Sequence, residues 1–481
     1  MQEPMNFPRL VIAGTHSGIG KTTVTLAILA ALKARGRQVQ AFKAGPDFID
    51  PSHHAAVTGR PSRNLDGWML GVAVNRAIFT RAAADADISI IEGMMGLFDG
   101  SSPVNEIGST AELAKQLGAP VLLVIDGSAM ARSAAAMVSG YAKFDPALRV
   151  AGVLFNRVSS EDHYMLLKEA IEEETDVMVV GYLRPDPALT IEDRHLGLVT
   201  AMEQGTGELY DLLAEAATET IDLDRIDELA RSASEFVRRE GLGVRDAEIA
   251  TPRLKSDVSR RAVKVGVAFD QAFCFYYSDN LELLEGEGAE LVKFSPMNDQ
   301  ALPDVDMLYL DGGYPELHGA RLASNVTMRA AILKFAERDG PIYAECGGMM
   351  YLTQAIRDLE GKSHEMVGLF AAEAVMSKVR MTLGYRELQV SQPCLLGEVG
   401  IKVRGHEFHY SLVEPKGQLQ YSCTLMDAQG KSKGPDGLIA GNTLGLYSHL
   451  HFASQPRIAA SLIASARLTT LQAAASVGSK T

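Results

Sequence analysis

Short apolar runs alternate with amphipathic stretches along most of this chain. Leu10 to Ala13 reads as a buried strand, and Thr22 to about Ala34 reads as a helix. Further buried strands are predicted at Arg37–Phe42, Ala86–Ile91, Pro120–Asp126, Val150–Phe155 and Val177–Tyr182, with a helix over Ser128–Ala142. Strands alternating with helices predict an α/β fold with a doubly wound parallel sheet, whose strand C-termini face one crevice. Glu203 to about Glu240 carries acids and Leu/Ile at helical spacing. Residues 241–262 then mix turn formers and charges without a period, as a linker does. A new α/β pattern starts at Val263, with strands at Val263–Phe269, Glu290–Phe294 and Met307–Leu310 and a helix around Asn280–Glu287. The predicted organisation is therefore a first domain over 1–240, a linker over 241–262, a second domain over 263–465 and a tail over 466–481.

Length and composition agree with this division. A chain of 481 residues is too long for one ordinary core. Hydrophobic content of 47% and charged content of 22% are those of a soluble globular protein. The net charge of −14 disfavours nucleic acid and anionic membranes as partners, so an anionic substrate requires a local cationic pocket. Residues 1–9 lack the apolar core of a signal peptide, and no apolar run reaches the ~18 residues of a membrane span. Cys274, Cys346, Cys394 and Cys423 form no C-x-x-C pair. A recognisable zinc site or disulfide framework is thereby excluded, and a reducing cytoplasm is expected.

The first chemical motif follows the first strand. Gly14-Thr15-His16-Ser17-Gly18-Ile19-Gly20-Lys21-Thr22-Thr23 is a Gly-rich loop opening a helix. Its backbone N–H groups and the helix N-terminus suit phosphate oxygens. Lys21 is expected to reach the β/γ-phosphates of a nucleotide, and the Thr22 hydroxyl to bind Mg2+. Thr15 occupies the first Gly position of the usual pattern, and Gly14 before it makes the loop one residue longer. Lys43, Asp47 and Asp50 follow the second strand, where parallel sheets bind ligands, and are expected to form a substrate and metal loop. An acid ending a strand near such a loop commonly serves Mg2+. Glu92 is the first candidate for that role and Asp99 the second. Asn156, at a later strand end, is placed to read the nucleotide base.

The second half carries a different chemistry. In Pro341-Ile342-Tyr343-Ala344-Glu345-Cys346-Gly347-Gly348 a short strand ends at a cysteine and a helix starts after two glycines. Such an elbow exposes a nucleophile on the sheet rim, and the helix N-terminus is expected to lower the thiol's pKa. The Gly347 N–H follows the nucleophile and is a donor for a tetrahedral oxyanion, as is the Gly312-Gly313 turn after an earlier strand. A thiolate acyl transferase needs a base, and His364, His406, His409, His449 and His451 all follow. By spacing alone, either member of the His449/His451 pair serves.

These motifs resemble known families. Gly14-Thr15, Gly20-Lys21-Thr22, Lys43-Ala44-Gly45-Pro46-Asp47 and Glu92-Gly93 resemble the dethiobiotin-synthetase-like ATPases. Phe42 to Pro51, with Arg63-Asn64-Leu65-Asp66, resembles more closely the cobyrinate a,c-diamide synthases of cobalamin synthesis. His16 stands where switch-type ATPases of the superfamily carry Lys. The second half resembles a class I glutamine amidotransferase domain of the cobyrinate and cobyric acid synthase type. Gly313 and Gly347 match the oxyanion donors, Cys346 the nucleophile and His449 the base, and Gly384-Tyr385-Arg386 and Arg404 to His409 are typical of this branch. Most class I members place Glu two residues after the base; here His451 stands there, so a Cys–His dyad is expected and its third member is open.

Together the resemblances imply ATP- and glutamine-dependent amidation of the a- and c-acetates of cobyrinate, a tetrapyrrole polycarboxylate. We expect ATP on Gly14, Thr15, Gly18, Gly20, Lys21, Thr22, Thr23 and Asn156. Lys43, Asp47 and Asp50 are expected on the substrate, and Thr22, Asp47 and Glu92 on Mg2+. Ammonia would travel by a shielded path, and a homodimer is compatible with the resemblance. Hydrogenobyrinate or nickel-sirohydrochlorin as substrate, cobyric acid synthase activity, and a non-enzymatic ATPase switch are the alternatives.

Overall fold

In the structure, a computed structural model, residues 7–191, 193–194, 197–205, 207–235, 261–379 and 381–478 are described. The chain divides into two units, residues 1–244 and 245–481.

The first unit is built on β1 (Arg9–Gly14), β2 (Val39–Ala44), β3 (Arg63–Leu65), β4 (Ile88–Gly96), β5 (Val121–Asp126), β6 (Val150–Asn156) and β7 (Met178–Tyr182). They form one sheet in the order β3-β2-β4-β1-β5-β6-β7, parallel throughout. Residues buried on both faces, such as Val11, Ile12, Ile90, Leu122 and Val124, explain the near-continuous apolar runs. Helix α1 (Lys21–Ala34) covers one face, burying Leu26, Ile28 and Leu29 in the core that also holds Ile88 and Leu154. Helix α2 (Ile49–Thr58) follows β2.

Three predicted elements differ in extent. β4 runs past Ile91 to Gly96, because Glu92 still pairs with Ile12 and Lys43, so its side chain is carried inward. The helix predicted from Ser128 starts at Ser133; Asp126 Oδ1 accepts the Ser128 N–H at 2.9 Å and bends the chain first. The stretch predicted helical over 203–240 holds helices Ala201–Gln204, Gly207–Thr220 and Leu223–Arg231. Asp222 caps the last of these by accepting from the N–H groups of Asp224 and Arg225. The remainder of that stretch beyond 235, and residues 241–260 of the linker, lie outside the described residues.

The second unit carries a ten-stranded mixed sheet. Its parallel half runs Ala289–Phe294, Val263–Ala268, Met307–Leu310, Ile342–Glu345 and Thr443–Leu446. The antiparallel half continues through Ser432–Ala440, Tyr421–Asp427, Thr382–Val390, Lys402–His409 and His449–Leu450. Only Tyr447 and Ser448 separate the central strand Thr443–Leu446 from the edge strand His449–Leu450. Five strand steps in a flat sheet span about 24 Å. Three residues of chain reach about 11 Å at most. The antiparallel half therefore curls back and returns His449 to the rim of the parallel half. Residues 466–472 are not a loose extension: helix Arg457–Gly478 runs through them, and Ala466 is buried beside Ile458, Leu462 and Ile463. Among the described residues no helix is long and apolar enough to cross a membrane.

Candidate active sites

In the first unit the site gathers at the C-terminal ends of β1, β2 and β4. Gly20 sits at φ +88°, and a side chain there would collide with the Asn156 amide, so only glycine meets both demands. Asn156 Nδ2 donates to Ile19 O at 2.9 Å, and its Oδ1 accepts the Arg157 N–H at 3.0 Å. Its amide thus braces the loop that Gly14, Gly18 and Gly20 relieve. Thr15 Oγ1 lies 2.9 Å from His16 Nδ1, and Thr15 O accepts from the Tyr141 hydroxyl at 2.8 Å. Lys21 is buried at the start of α1, and Thr22 and Thr23 follow it half-buried.

Glu92 is the hub. Its Oε1 accepts from Thr22 Oγ1 at 2.7 Å and from Lys43 Nζ at 3.1 Å; its Oε2 accepts from His54 Nε2 at 2.7 Å. Lys43 also ion-pairs with Asp50, donates to Gly93 O at 3.2 Å and stands 3.9 Å from Asp47. Asp47 Oδ1 accepts the N–H groups of Ile49 and Asp50 at the head of α2, and its Oδ2 is the oxygen 3.9 Å from Lys43 Nζ. Burial alone would lower the Lys43 ammonium, but Asp50, Glu92 and Asp47 outweigh it and hold it above the lysine range. Burial would likewise raise Glu92, but Lys43 and then His54 hold it below the carboxylate range. Burial, with the Asp47 and Glu92 charges, raises Asp50 against the pull of Lys43. Burial and Lys43 together lower Lys21.

The sequence-predicted residues Thr22, Lys43, Asp47, Asp50 and Glu92 are thus brought together. Asp99 Oδ2 accepts the Gly96 N–H at 2.9 Å within its own loop, and its charge acts on Lys21. His54 was not anticipated. It lies four residues after Asp50 on α2, a helical spacing that places both on one face, and it is fully buried. The hard oxygen donors of Thr22, Asp47 and Glu92 fit Mg2+, which takes carboxylate and hydroxyl oxygen in preference to softer ligands.

In the second unit the site is the rim where Met307–Leu310, Ile342–Glu345 and the Gly347–Leu352 helix meet. Cys346 sits at φ +44°, ψ −106°, a strained turn between strand and helix. Its N–H donates to Leu446 O at 2.7 Å. A Cβ on Gly347 would lie 3.3 Å from Gly313 N, so the two proposed oxyanion donors border one space. The Gly312 backbone abuts the His449 ring; a side chain there would strike Cε1.

His449 Nδ1 stands 3.2 Å from Asp311 Oδ1 and 3.9 Å from Glu345 Oε2, all three residues buried. The donor atoms of Asp311, Glu345 and His449 all lie within 4.8 Å of one another. Asp311 is itself held, with Oδ2 accepting from Tyr309 at 2.9 Å and Oδ1 from Gly312 N–H at 2.7 Å. Glu345 Oε1 accepts from the Tyr343 hydroxyl and from Leu450 N–H at 3.0 Å. Burial, then the neighbouring Asp311 charge, raises Glu345 well above the carboxylate range. The sequence had left the third member open. The structure puts a carboxylate there from the residue that precedes Gly312-Gly313.

The other histidines separate. His406 stacks on His449 at 5.1 Å, and its Nδ1 meets the Tyr277 hydroxyl at 3.1 Å. Burial keeps His406 neutral. His451 lies against Tyr277 at 4.5 Å. His364 bonds Asp358 at 2.8 Å in a separate four-stranded sheet. The Cys346 thiol differs from the expectation of a lowered pKa: burial, then Glu316 and Asp311, push it up, and the short helix does not outweigh them.

Comparison with known proteins agrees with both units. A family model described as a CobQ/CobB/MinD/ParA nucleotide binding domain matches residues 10–199. One described as a CobB/CobQ-like glutamine amidotransferase domain matches residues 264–457. A cobyrinate a,c-diamide synthase of Syntrophotalea carbinolica is 45% identical over 467 residues, covering 95% of this chain and 98% of that protein. Proteins of the same name from Priestia megaterium (42%; 94% and 96% covered) and Methanosarcina barkeri (41%; 97% of each) are similar over the same extent.

Proposed function

The chain belongs to the cobyrinate a,c-diamide synthase family of ATP- and glutamine-dependent amide-forming ligases, and we propose from this the division of labour among its residues. The substrate is cobyrinate, amidated at its a- and c-acetates. A carboxylate resists ammonia because it is anionic and a poor acyl donor. In the first unit its oxygen attacks the γ-phosphorus of ATP, ADP leaves, and an acyl phosphate forms. Gly14, Thr15, Gly18, Gly20, Lys21, Thr22 and Thr23 hold the triphosphate, Asn156 fixes the loop beside the base, and Lys21 neutralises charge on the moving phosphoryl group. Lys43, Asp47 and Asp50 face the substrate carboxylate, with Lys43 as its cation. Thr22, Asp47 and Glu92 would hold Mg2+, which would offset negative charge on the phosphates.

In the second unit His449 takes the Cys346 proton, and the sulfur attacks the glutamine amide carbon. The tetrahedral oxyanion is received by the Gly313 and Gly347 N–H groups. His449 returns the proton to the departing nitrogen, leaving ammonia and a γ-glutamyl thioester that water hydrolyses. Ammonia attacks the acyl phosphate, and phosphate leaves. The observation that carries this reading is the buried contact of His449 with Asp311 beside the Cys346 elbow. We further propose a cytoplasmic homodimer that binds neither nucleic acid nor membrane. The free state of all four cysteines supports the compartment, and the charge of −14 supports the exclusions.

Cys346→Ser tests it. Glutamine-supported amidation vanishes while ammonium-supported amidation persists, and Lys21→Ala abolishes both. Mass spectrometry then gains two amides on cobyrinate; a gain on another tetrapyrrole alone would refute the substrate.

A further inference from the structure

A buried ion pair on the antiparallel half of the ten-stranded sheet has no part in the chemistry above. Strands Thr382–Val390 and Lys402–His409 pair antiparallel with Arg386 opposite Gly405. Arg386 therefore reaches across a residue without a side chain to Glu407, two positions on and on the same face. Arg386 is 6% exposed, Glu407 7% and His409 9%. Arg386 Nε donates to Glu407 Oε2, and Arg386 Nη1 to Tyr385 O at 2.8 Å. His409 Nδ1 donates to Ser411 O at 2.9 Å, while its Nε2 is buried without a hydrogen-bond partner, 3.9 Å from Glu407 Oε1.

The pair connects to the nucleophile through a continuous wall. The His409 ring stacks on Tyr447 at 4.0 Å with an 11° tilt. Tyr447 directly follows Leu446, whose carbonyl holds the Cys346 N–H. Ser411 Oγ lies 3.2 Å from the Tyr447 hydroxyl and 3.5 Å from Met350 Sδ, on the helix that Cys346 opens. Burial raises the Tyr447 phenol, and both Cys346 and Glu407 add to that, so one hydroxyl feels both groups.

A buried ion pair seldom stabilises a fold better than apolar side chains of the same volume. Joined to the turn of the nucleophile through His409 and Tyr447, with a buried imidazole nitrogen 3.9 Å from Glu407, it matches a ligand of two opposite charges. We propose that Arg386 and Glu407 receive the α-carboxylate and α-ammonium of glutamine, with His409 completing the pocket. This rests on the glutaminase reading of Cys346 and specifies how its substrate is recognised.

The test compares three amides on the full chain: L-glutamine, glutaramate (no α-ammonium) and 4-aminobutanamide (no α-carboxylate). Removing one partner of a buried charged contact corresponds to about a 100-fold loss. Arg386→Met should lose about 100-fold in kcat/KM on glutamine and glutaramate but only a few-fold on 4-aminobutanamide. Glu407→Gln should show the converse, sparing glutaramate. Wild-type protection of Cys346 from iodoacetamide needs no variant to fold: L-glutamate should protect, and glutarate and 4-aminobutyrate should not. Equal losses on all three amides, or equal protection by all three acids, would overturn the assignment and leave the glutaminase standing. Absence of glutamine hydrolysis by the unmodified chain would overturn the glutaminase reading itself, and this assignment with it.

Discussion

Asp311 Oδ1 stands 3.2 Å from His449 Nδ1, and the Asp311 carboxylate is fixed in turn by Tyr309 and the Gly312 N–H. This orders the imidazole so that Nδ1 keeps a proton and Nε2 is the free base. Asp311 is thus a positioning residue for His449, in the role that a Glu two residues after the base fills elsewhere. Asp311→Asn should lower glutamine-dependent turnover about 10²- to 10⁴-fold. The loss should fall on kcat rather than KM and shift the acid limb of the pH profile, while His451→Glu should not restore it. An unchanged kcat in Asp311→Asn would dismiss the role.

The Cys346 thiol is controlled by a second acid. Burial pushes Glu316 up to about 7, and its charge is the largest electrostatic contribution that raises Cys346. Asp311 and Glu345 also raise the thiol, by less than Glu316 does. As pH rises through about 7, Glu316 ionises and makes the thiolate harder to form. Glu316→Gln should therefore speed Cys346 alkylation several-fold at pH 8 and little at pH 5.5. The folded-state pKa lies above the unfolded value, so Glu316 costs stability as pH rises from about 4.5 through 7. The variant should recover on the order of 3 kcal/mol at pH 8 in urea unfolding, and almost none below pH 4.5.

His54 is joined to Glu92 at 2.7 Å and to Ser62 Oγ at 3.1 Å, both contacts buried. It fixes Glu92 Oε2 and so turns Oε1 toward Thr22. Residues that orient a metal-binding carboxylate typically account for 10- to 100-fold in affinity. His54→Ala should raise the Mg2+ concentration for half-maximal ammonium-driven amidation about 10-fold, and His54→Gln should recover part of it. An unmoved Mg2+ midpoint would count against this role.

What could be read from the sequence was local. The Gly14–Thr23 loop and the Cys346 elbow each occupy a few consecutive residues, so spacing alone displays their geometry. Glu92 was legible as an acid near a strand end, although β4 continues past it. Asp311 was visible only as a neighbour of two glycines. Its partner His449 is 138 residues later, and only the curl of the antiparallel half brings them together. The expectation for the Cys346 thiol failed for the same reason. The helix N-terminus is local, whereas burial and Glu316 act through tertiary packing. His54 carried a signal in its helical spacing from Asp50, but nothing nearby in sequence says that Glu92 is what it meets.

Lys43 contacts Asp50, Glu92 and Asp47 together. Its removal leaves buried carboxylates without a counter-charge, which costs about 3–5 kcal/mol. Lys43→Met keeps the apolar stem and isolates the charge. In the wild type Lys43 and His54 hold Glu92 low, so this acid adds stability above its unfolded pKa of about 4.3 and loses it as pH falls through the lower folded value. Without Lys43, burial dominates and raises Glu92 and Asp50, so the sign reverses and stability falls as pH rises. Urea unfolding should show a deficit of Lys43→Met that is larger at pH 8 than at pH 5. Amidation should fail with either nitrogen donor, while glutamine hydrolysis at Cys346 survives. A deficit independent of pH would show that Lys43 acts through packing rather than charge.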